Sequence, residues 1–220
     1  MEFTDVVANR RSTRAFETKP VAAEIIERVF SLGLKAPSNC NTQPWYVHIA
    51  SGAKIELLRS TLPEKFMAGQ LHLDYPYDGV YEGEFKVRQY AAAQALYDSL
   101  NIAREDKVKR HEAFMRNFTF FDAPHVAFFY LPAEFGLREA CDLGMFAQTV
   151  MLGLVNEGLG SCPQTALGFH AGTIKETLGI PDGRKLMFGL SFGYPKQEEP
   201  VNQCVTDRAL FSDLVTLHDS

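Results

Sequence analysis

Residues 140–159 carry only two charges in 20 positions, Asp142 and Glu157. A helix written this way is apolar on almost every side, so it must be surrounded by protein rather than lie on a wet surface. It is expected in a core or at a subunit interface, with the other elements packed around it. The rest of the chain can do this: 46% of its 220 residues are hydrophobic and 22% charged, the balance of a chain with an ordinary core. At this length roughly 70% of the unfolded surface is buried on folding. No internal repeat, low-complexity tract or shift in composition marks a linker, so residues 1–220 are expected to form a single domain.

A short helix is expected first. Beyond Pro20, Ile25, Ile26, Val29, Phe30 and Leu32 recur at helical spacing while Glu24, Glu27, Arg28 and Ser31 take the other face. This predicts an amphipathic helix ending near Lys35. Pro37, Asn39, Asn41 and Pro44 punctuate a loop, and the aromatic and β-branched residues 45–50 read as a strand. Residues 62–87, rich in Gly, Pro, Tyr and charge without firm periodicity, read as a mobile loop or lid. Helical patterns follow at 88–100 and 104–118, a buried strand at 125–131, a small helix at 173–178 and an apolar strand at 186–192. Long helices with few strands predict an α+β domain with more helix than sheet.

Charge and cysteine usage remove several functions. Lys and Arg number 22 against 27 Asp and Glu, a net of -5, which argues against a nucleic-acid partner. Cys40, Cys141, Cys162 and Cys204 lie far apart, with no C-x-x-C pair and no His at ligand spacing, and the six histidines are scattered, so neither zinc nor a disulfide framework is expected. The opening Met1-Glu2-Phe3-Thr4-Asp5 lacks the basic and apolar regions of a signal peptide, and no segment approaches ~20 uninterrupted apolar residues. No membrane partner is expected, and a cytoplasmic location is.

Two segments concentrate polar chemistry. Arg10-Arg11-Ser12-x-Arg14 sets three guanidinium groups and a hydroxyl within five positions, a set able to clamp a phosphate dianion or simply to form a solvated basic turn. Residues 37–45, Pro-Ser-Asn-Cys-Asn-Thr-Gln-Pro-Trp, gather amides that both donate and accept, as a heterocycle with alternating N–H and C=O edges requires. Turn residues after a helix stop explain them equally. Gly189-x-Ser191-x-Gly193 matches a nucleophile elbow, with Asp213 and His218 following in hydrolase order, but Tyr194-Pro195-Lys196 cannot start the helix an elbow needs. Gly158-x-Gly160 lacks the third glycine of a dinucleotide fingerprint, Pro163 standing there.

In order and spacing these segments resemble the FMN-dependent nitroreductase family, whose members open with Arg-Arg-Ser-x-Arg-x-Phe and continue with Pro-Ser-x-x-Asn-x-Gln-Pro-Trp. The resemblance runs on through Asp122-Ala123-Pro124, residues 158–165, Gly193-Tyr194-Pro195 and Arg208, nearly the whole chain, and is nearest to the branch that handles nitroaromatic acids. It implies a nitroreductase-like α+β fold, a mostly antiparallel central sheet surrounded by helices, with the long apolar helix in a homodimer interface and two FMN sites, each built from both chains. Position by position, it implies that Arg10, Arg11, Ser12 and Arg14 anchor the phosphate and ribityl chain, with Arg208 closing on the phosphate. Pro37, Ser38, Asn39 and Asn41 match the segment that the partner presents to the flavin, and Gln43 the amide facing ring or ribityl. Pro163, Gln164, Thr165 and Ala166 match the segment beside the flavin N5 edge, and Asn117 a further ribityl contact.

The implied activity is reduction of nitroaromatic or quinone-like acceptors by NADH or NADPH through FMN. Donor and acceptor use one flavin face in turn, a ping-pong hydride mechanism in which flavin N5, and no side chain, carries the chemistry. A flavin-storing dimer without turnover is the alternative from another class, and dehalogenases and flavin-cleaving enzymes share the scaffold. Thr165-Ala166 stands where some members carry Glu-Gly, and Thr206 where some carry Lys, so nicotinamide preference and acceptor range stay open.

Overall fold

The computed structural model describes residues 1–218. Four strands, β1 (Tyr46–Ser51), β2 (His125–Pro132), β3 (Gly160–Gln164) and β4 (Arg184–Gly193), pair antiparallel in the order β1-β2-β4-β3. Central β2 is buried on both faces, and its sequence is accordingly apolar at nearly every position rather than at every second one. Val126, Phe128 and Tyr130 pack in one layer with Ile55, Leu58 and Leu62 of α3 (Gly52–Met67) and Ile174 of α7 (Ala171–Leu178). Ala127, Phe129 and Leu131 pack in the other with Val29 of α2 (Ala23–Gly33) and Phe146, Val150 and Leu154 of α6 (Leu137–Asn156). A bulge after Phe129 shifts the register, so that Phe129 faces Phe188 and Tyr130 faces Leu186.

The remaining helices are α1 (Phe3–Asn9), α4 (Gly83–Ser99), α5 (Lys107–Met115) and the short α8 (Phe211–Leu214). α4 and α5 bury no residue of their own. No helix among the described residues is long and apolar enough to cross a membrane.

One expectation changes. Residues 62–87 are not one loop: α3 runs through Pro63 to Met67, irregular chain fills 68–82, and α4 begins at Gly83. Leu62 is fully buried and holds the last turns of α3 on the core. The irregular part is fastened: the nearly buried Asp74 accepts Lys175 Nζ at 2.8 Å and the Leu186 amide at 2.7 Å, and His72 bonds through its backbone to Phe169 and Ala171. Residues 160–164 form β3 despite weak strand propensity, because β3 is an edge strand where Pro163 forfeits no ladder bond. Within one chain, Leu143, Phe146, Ala147, Val150 and Leu154 of α6 are buried, while Cys141, Gly144, Met145 and Gln148 face outward.

Candidate active site

The site begins where α1 stops. Arg10 turns extended, and the chain then runs beside the edge strand: Ser12 bridges to Ser161, the Thr13 amide donates to Ser161 O at 2.9 Å, and Phe16, fully buried, bridges to Pro195. The approach is so close that a Cβ on Gly160 would stand 2.9 Å from Thr13 Cβ. Asn202 fixes the other side. Its Oδ1 accepts from the Arg14 and Ala15 amides at 2.7 and 3.2 Å, while Nδ2 donates to Ala15 O and Lys196 O, both at 2.8 Å.

This backbone grip presents Arg10, Arg11, Ser12 and Arg14 to a cleft of ≈ 520 Å³ that Gln148, Cys204 and Arg208 also line. The early and late arginines therefore do converge. Arg208 Nη1 donates only to nearby oxygens of Thr206 and Asp207. Among the described residues none of these four guanidinium groups pairs with a carboxylate. Burial, and the positive charge of Arg208 opposite, push the pKa of Arg10 down. Unneutralised cations facing one another across a partly desolvated cleft are an anion site by charge. The Cys162 thiol beside Ser12 is buried, and that burial pushes its pKa up against the opposing pull of Arg14 and Ser12.

The 37–43 loop is built differently. Cys40, Asn41 and Gln43 hold left-handed backbone, φ 50°, 56° and 47°, which costs free energy at non-glycine positions and persists only where surroundings enforce it. Here they do: Ser38 Oγ accepts the Gln43 amide at 3.0 Å, Gln43 Nε2 donates to Asn41 O at 3.1 Å, and buried Asp142 of α6 accepts the Asn39 amide at 3.1 Å. Trp45, stacked on Phe146 with centroids 5.0 Å apart, anchors the exit. The side chains of Pro37, Asn39, Asn41 and Gln43 are exposed and that of Ser38 half-buried, and none of the five lines the arginine cleft of the same chain.

A third group lies at the end of β3. Pro163 and Thr165 are exposed and Ala166 half-buried, whereas Gln164 is buried with its amide already engaged. Its Oε1 accepts from Ser191 Oγ, and its Nε2 donates to Asn117 O at 2.8 Å and Oδ1 at 3.3 Å. Asn117 lines a smaller pocket of ≈ 100 Å³ with Arg14, Phe114 and Phe121. Arg14 borders both cavities and joins this group to the arginine cleft.

Two supports had no signal in the sequence. One is Asn202. The other is Arg59 of α3, which clasps a turn of three successive left-handed residues, Phe120, Phe121 and Asp122, by donating to Thr119 O and, at 2.8 Å, to Ala123 O. The nucleophile-elbow reading of Ser191 is overturned. Ser191 is fully buried within β4, bonded to Gln164, whereas Asp213 and His218 are exposed near the C-terminal end. A nucleophile must stand exposed at a strand-to-helix turn.

The model of the Nitroreductase family matches residues 7–194. The chain belongs to that family. It is 37% identical over 209 residues to "Nitroreductase NfnB" of Mycolicibacterium smegmatis, covering 94% of this chain and 89% of that protein. It is 30% identical to a "4-nitrobenzoate reductase" of Pseudomonas putida, covering 91% and 88%. The crystal structure of the FMN-dependent nitroreductase NfnB from Mycobacterium smegmatis in complex with NADPH matches with a TM-score of 0.94 at 35% identity, over 98% of this chain and 97% of that one. The FMN- and NADPH-dependent NfnB from Sphigopyxis sp. strain HMH matches with a TM-score of 0.96 at 31% identity, over 100% of both chains. The nitroreductase-like α+β fold, with its antiparallel sheet flanked by helices, is thus the fold the resemblance implied.

Proposed function

We propose that the chain, acting as one domain of a cytoplasmic homodimer, is an NAD(P)H-dependent FMN nitroreductase that reduces small nitroaromatic or quinone-like acceptors. The observation that carries this reading is the arginine cleft, four cations without a counter-charge among the described residues. A phosphate monoester of about -1.5 to -2 charge is the complement of that set. Relatives named for FMN, NADPH and nitroaromatic reduction support the cofactor, the electron donor and the acceptor class.

When bound, FMN supplies a two-electron carrier between the nicotinamide donor and the acceptor. The protein's part is to hold and bias it. Arg10, Arg11 and Arg208 would neutralise the phosphate with Ser12 as a neutral donor, and Arg14, bordering both cavities, would add positive charge to each. Pro163, Thr165 and Ala166 supply the edge beside the ring, while Gln164 and Asn117 set that edge in place. Pro37, Ser38, Asn39, Asn41 and Gln43 belong to the partner's site. Their side chains line no part of their own chain's cleft, and Asp142, which ties the loop down, shares α6 with cleft-lining Gln148. An α6-to-α6 contact across the exposed Met145 face would bring each loop toward the other chain's cleft.

Steady-state oxidation of NADPH with a nitrobenzoate acceptor tests the reading. Donor and acceptor that occupy one face in turn give parallel double-reciprocal lines. Intersecting lines would contradict the shared site, and no acceptor-dependent oxidation would contradict the activity.

A further inference from the structure

The one motif that the function leaves unused is Ser191, and its surroundings give it a task. Ser191 is fully buried and Gln164 nearly so. Between them and the small pocket runs one chain of hydrogen bonds, Ser191 Oγ to Gln164 Oε1, Gln164 Nε2 to Asn117 O and Oδ1, and Asn117 Nδ2 to Phe114 O at 2.8 Å.

The polarity of this chain is fixed by its backbone members. The carbonyls of Asn117 and Phe114 can only accept. The Gln164 amide must therefore turn its nitrogen to Asn117 and its oxygen to Ser191, which makes the serine the donor. A flipped Gln164 would set its oxygen against two others, Asn117 O and Oδ1. With the Asn117 oxygen held by Gln164 and one Nδ2 hydrogen spent on Phe114, the second Nδ2 hydrogen is left over on a side chain that lines the pocket beside Arg14.

We propose that Ser191 is a positioning residue, whose hydroxyl holds the Gln164 amide in its bonds to Asn117 so that Asn117 keeps a hydrogen-bond donor turned to the pocket. The group this donor fits is an acceptor edge of a planar heterocycle, a ring carbonyl or imine nitrogen. The proposal rests on the FMN reading and deepens it.

Deletion of the hydroxyl leaves Gln164 Oε1 buried without a partner, so the amide loses the anchor at its oxygen end and its hold on Asn117 loosens. The test is a cycle of Ser191→Ala, Asn117→Ala and the double variant, each stripped of flavin and titrated with FMN. S191A should weaken FMN binding by roughly three- to tenfold in the native background and by less than about twofold once Asn117 is alanine. In the flavin-free protein, the Asn117 side-chain amide resonances should move in S191A and return toward native positions in Ser191→Thr, which keeps the hydroxyl. An equal S191A effect in both backgrounds, or unmoved Asn117 resonances, would overturn the proposal. Native protein that takes up no FMN at all would instead overturn the cofactor reading, which separates the two failures. Should S191A not fold, S191T and Gln164→Glu carry the test through the same resonances. Unperturbed Asn117 signals in Q164E, whose carboxylate cannot donate to Asn117 O, would count against it.

Discussion

Arg208→Ala separates two effects that the cleft assigns to one side chain. Without an anion, Arg208 faces Arg10 and helps to push its pKa down, so it is a source of like-charge repulsion. Among the described residues its hydrogen bonds run only to oxygens of Thr206 and Asp207, within two residues and exposed, so their loss costs little. The flavin-free variant should therefore melt at the native temperature or above it. With FMN present the sign reverses, because the substitution removes a charge-assisted bond to phosphate worth ~1.5 to 3 kcal/mol. At about 1.4 kcal/mol per decade, binding weakens roughly tenfold to 150-fold. Fluorescence quenching of FMN by flavin-free protein measures the affinity, and scanning calorimetry of the same samples measures the melting temperature. Repeating the titration at low and high salt should show a shallower salt dependence in the variant. A variant that binds FMN like the native protein, or that is clearly destabilised before flavin is added, would refute the reasoning.

Other outcomes follow from the core. His170 is 1% exposed, both ring nitrogens lack a partner among the described residues, and it sits edge-on to Phe118 at 5.0 Å; burial pushes its pKa down to about 4. Because the unfolded chain takes up that proton near pH 6.5, stability is full above pH 6.5 and declines as the pH falls toward 4, by up to about 3 kcal/mol. Burial pushes the pKa of His125 down as well, and its ring accepts the Val21 amide at 2.9 Å only when neutral. Chemical denaturation across this range should find the slope reduced in His170→Phe; an unchanged slope would rule the assignment out. Gly160→Ala sets a Cβ against Thr13 and should cost about 1 to 3 kcal/mol in urea denaturation. It should also weaken FMN binding, because the displaced strand carries Ser12 and Arg14; native affinity would break that link.

The sequence was most readable where one element meets one environment. β2 could be found because a strand buried on both faces leaves no polar position, and α2 because one face is wet and the other packed. The arginine cleft was readable as a cluster at 10–14, but its closure by Arg208 was not, since nothing local reports on a residue almost 200 positions away. Only the family resemblance supplied it. β3 was hidden by its composition, Gly-Ser-Cys-Pro-Gln, whose strand geometry is imposed by pairing with β4. The end of α3 was obscured by Pro63 and charge, though Leu62 packs in the core. Gln164 lies in the segment that the resemblance sets beside the flavin, and its burial against Ser191, a long-range contact, has no signal in the sequence. Asn202 and Arg59 act through several bonds to backbone, most of it distant in the chain, a role that leaves no periodicity to detect.

The central claim is that the converging guanidinium groups select the phosphate of the flavin. Titration of flavin-free protein with FMN and, in parallel, with riboflavin, identical but for the phosphate, addresses it directly. The account predicts that FMN binds at least about 100-fold more tightly, the worth of two or more charge-assisted bonds. Equal affinities, or uptake of neither flavin, would contradict it.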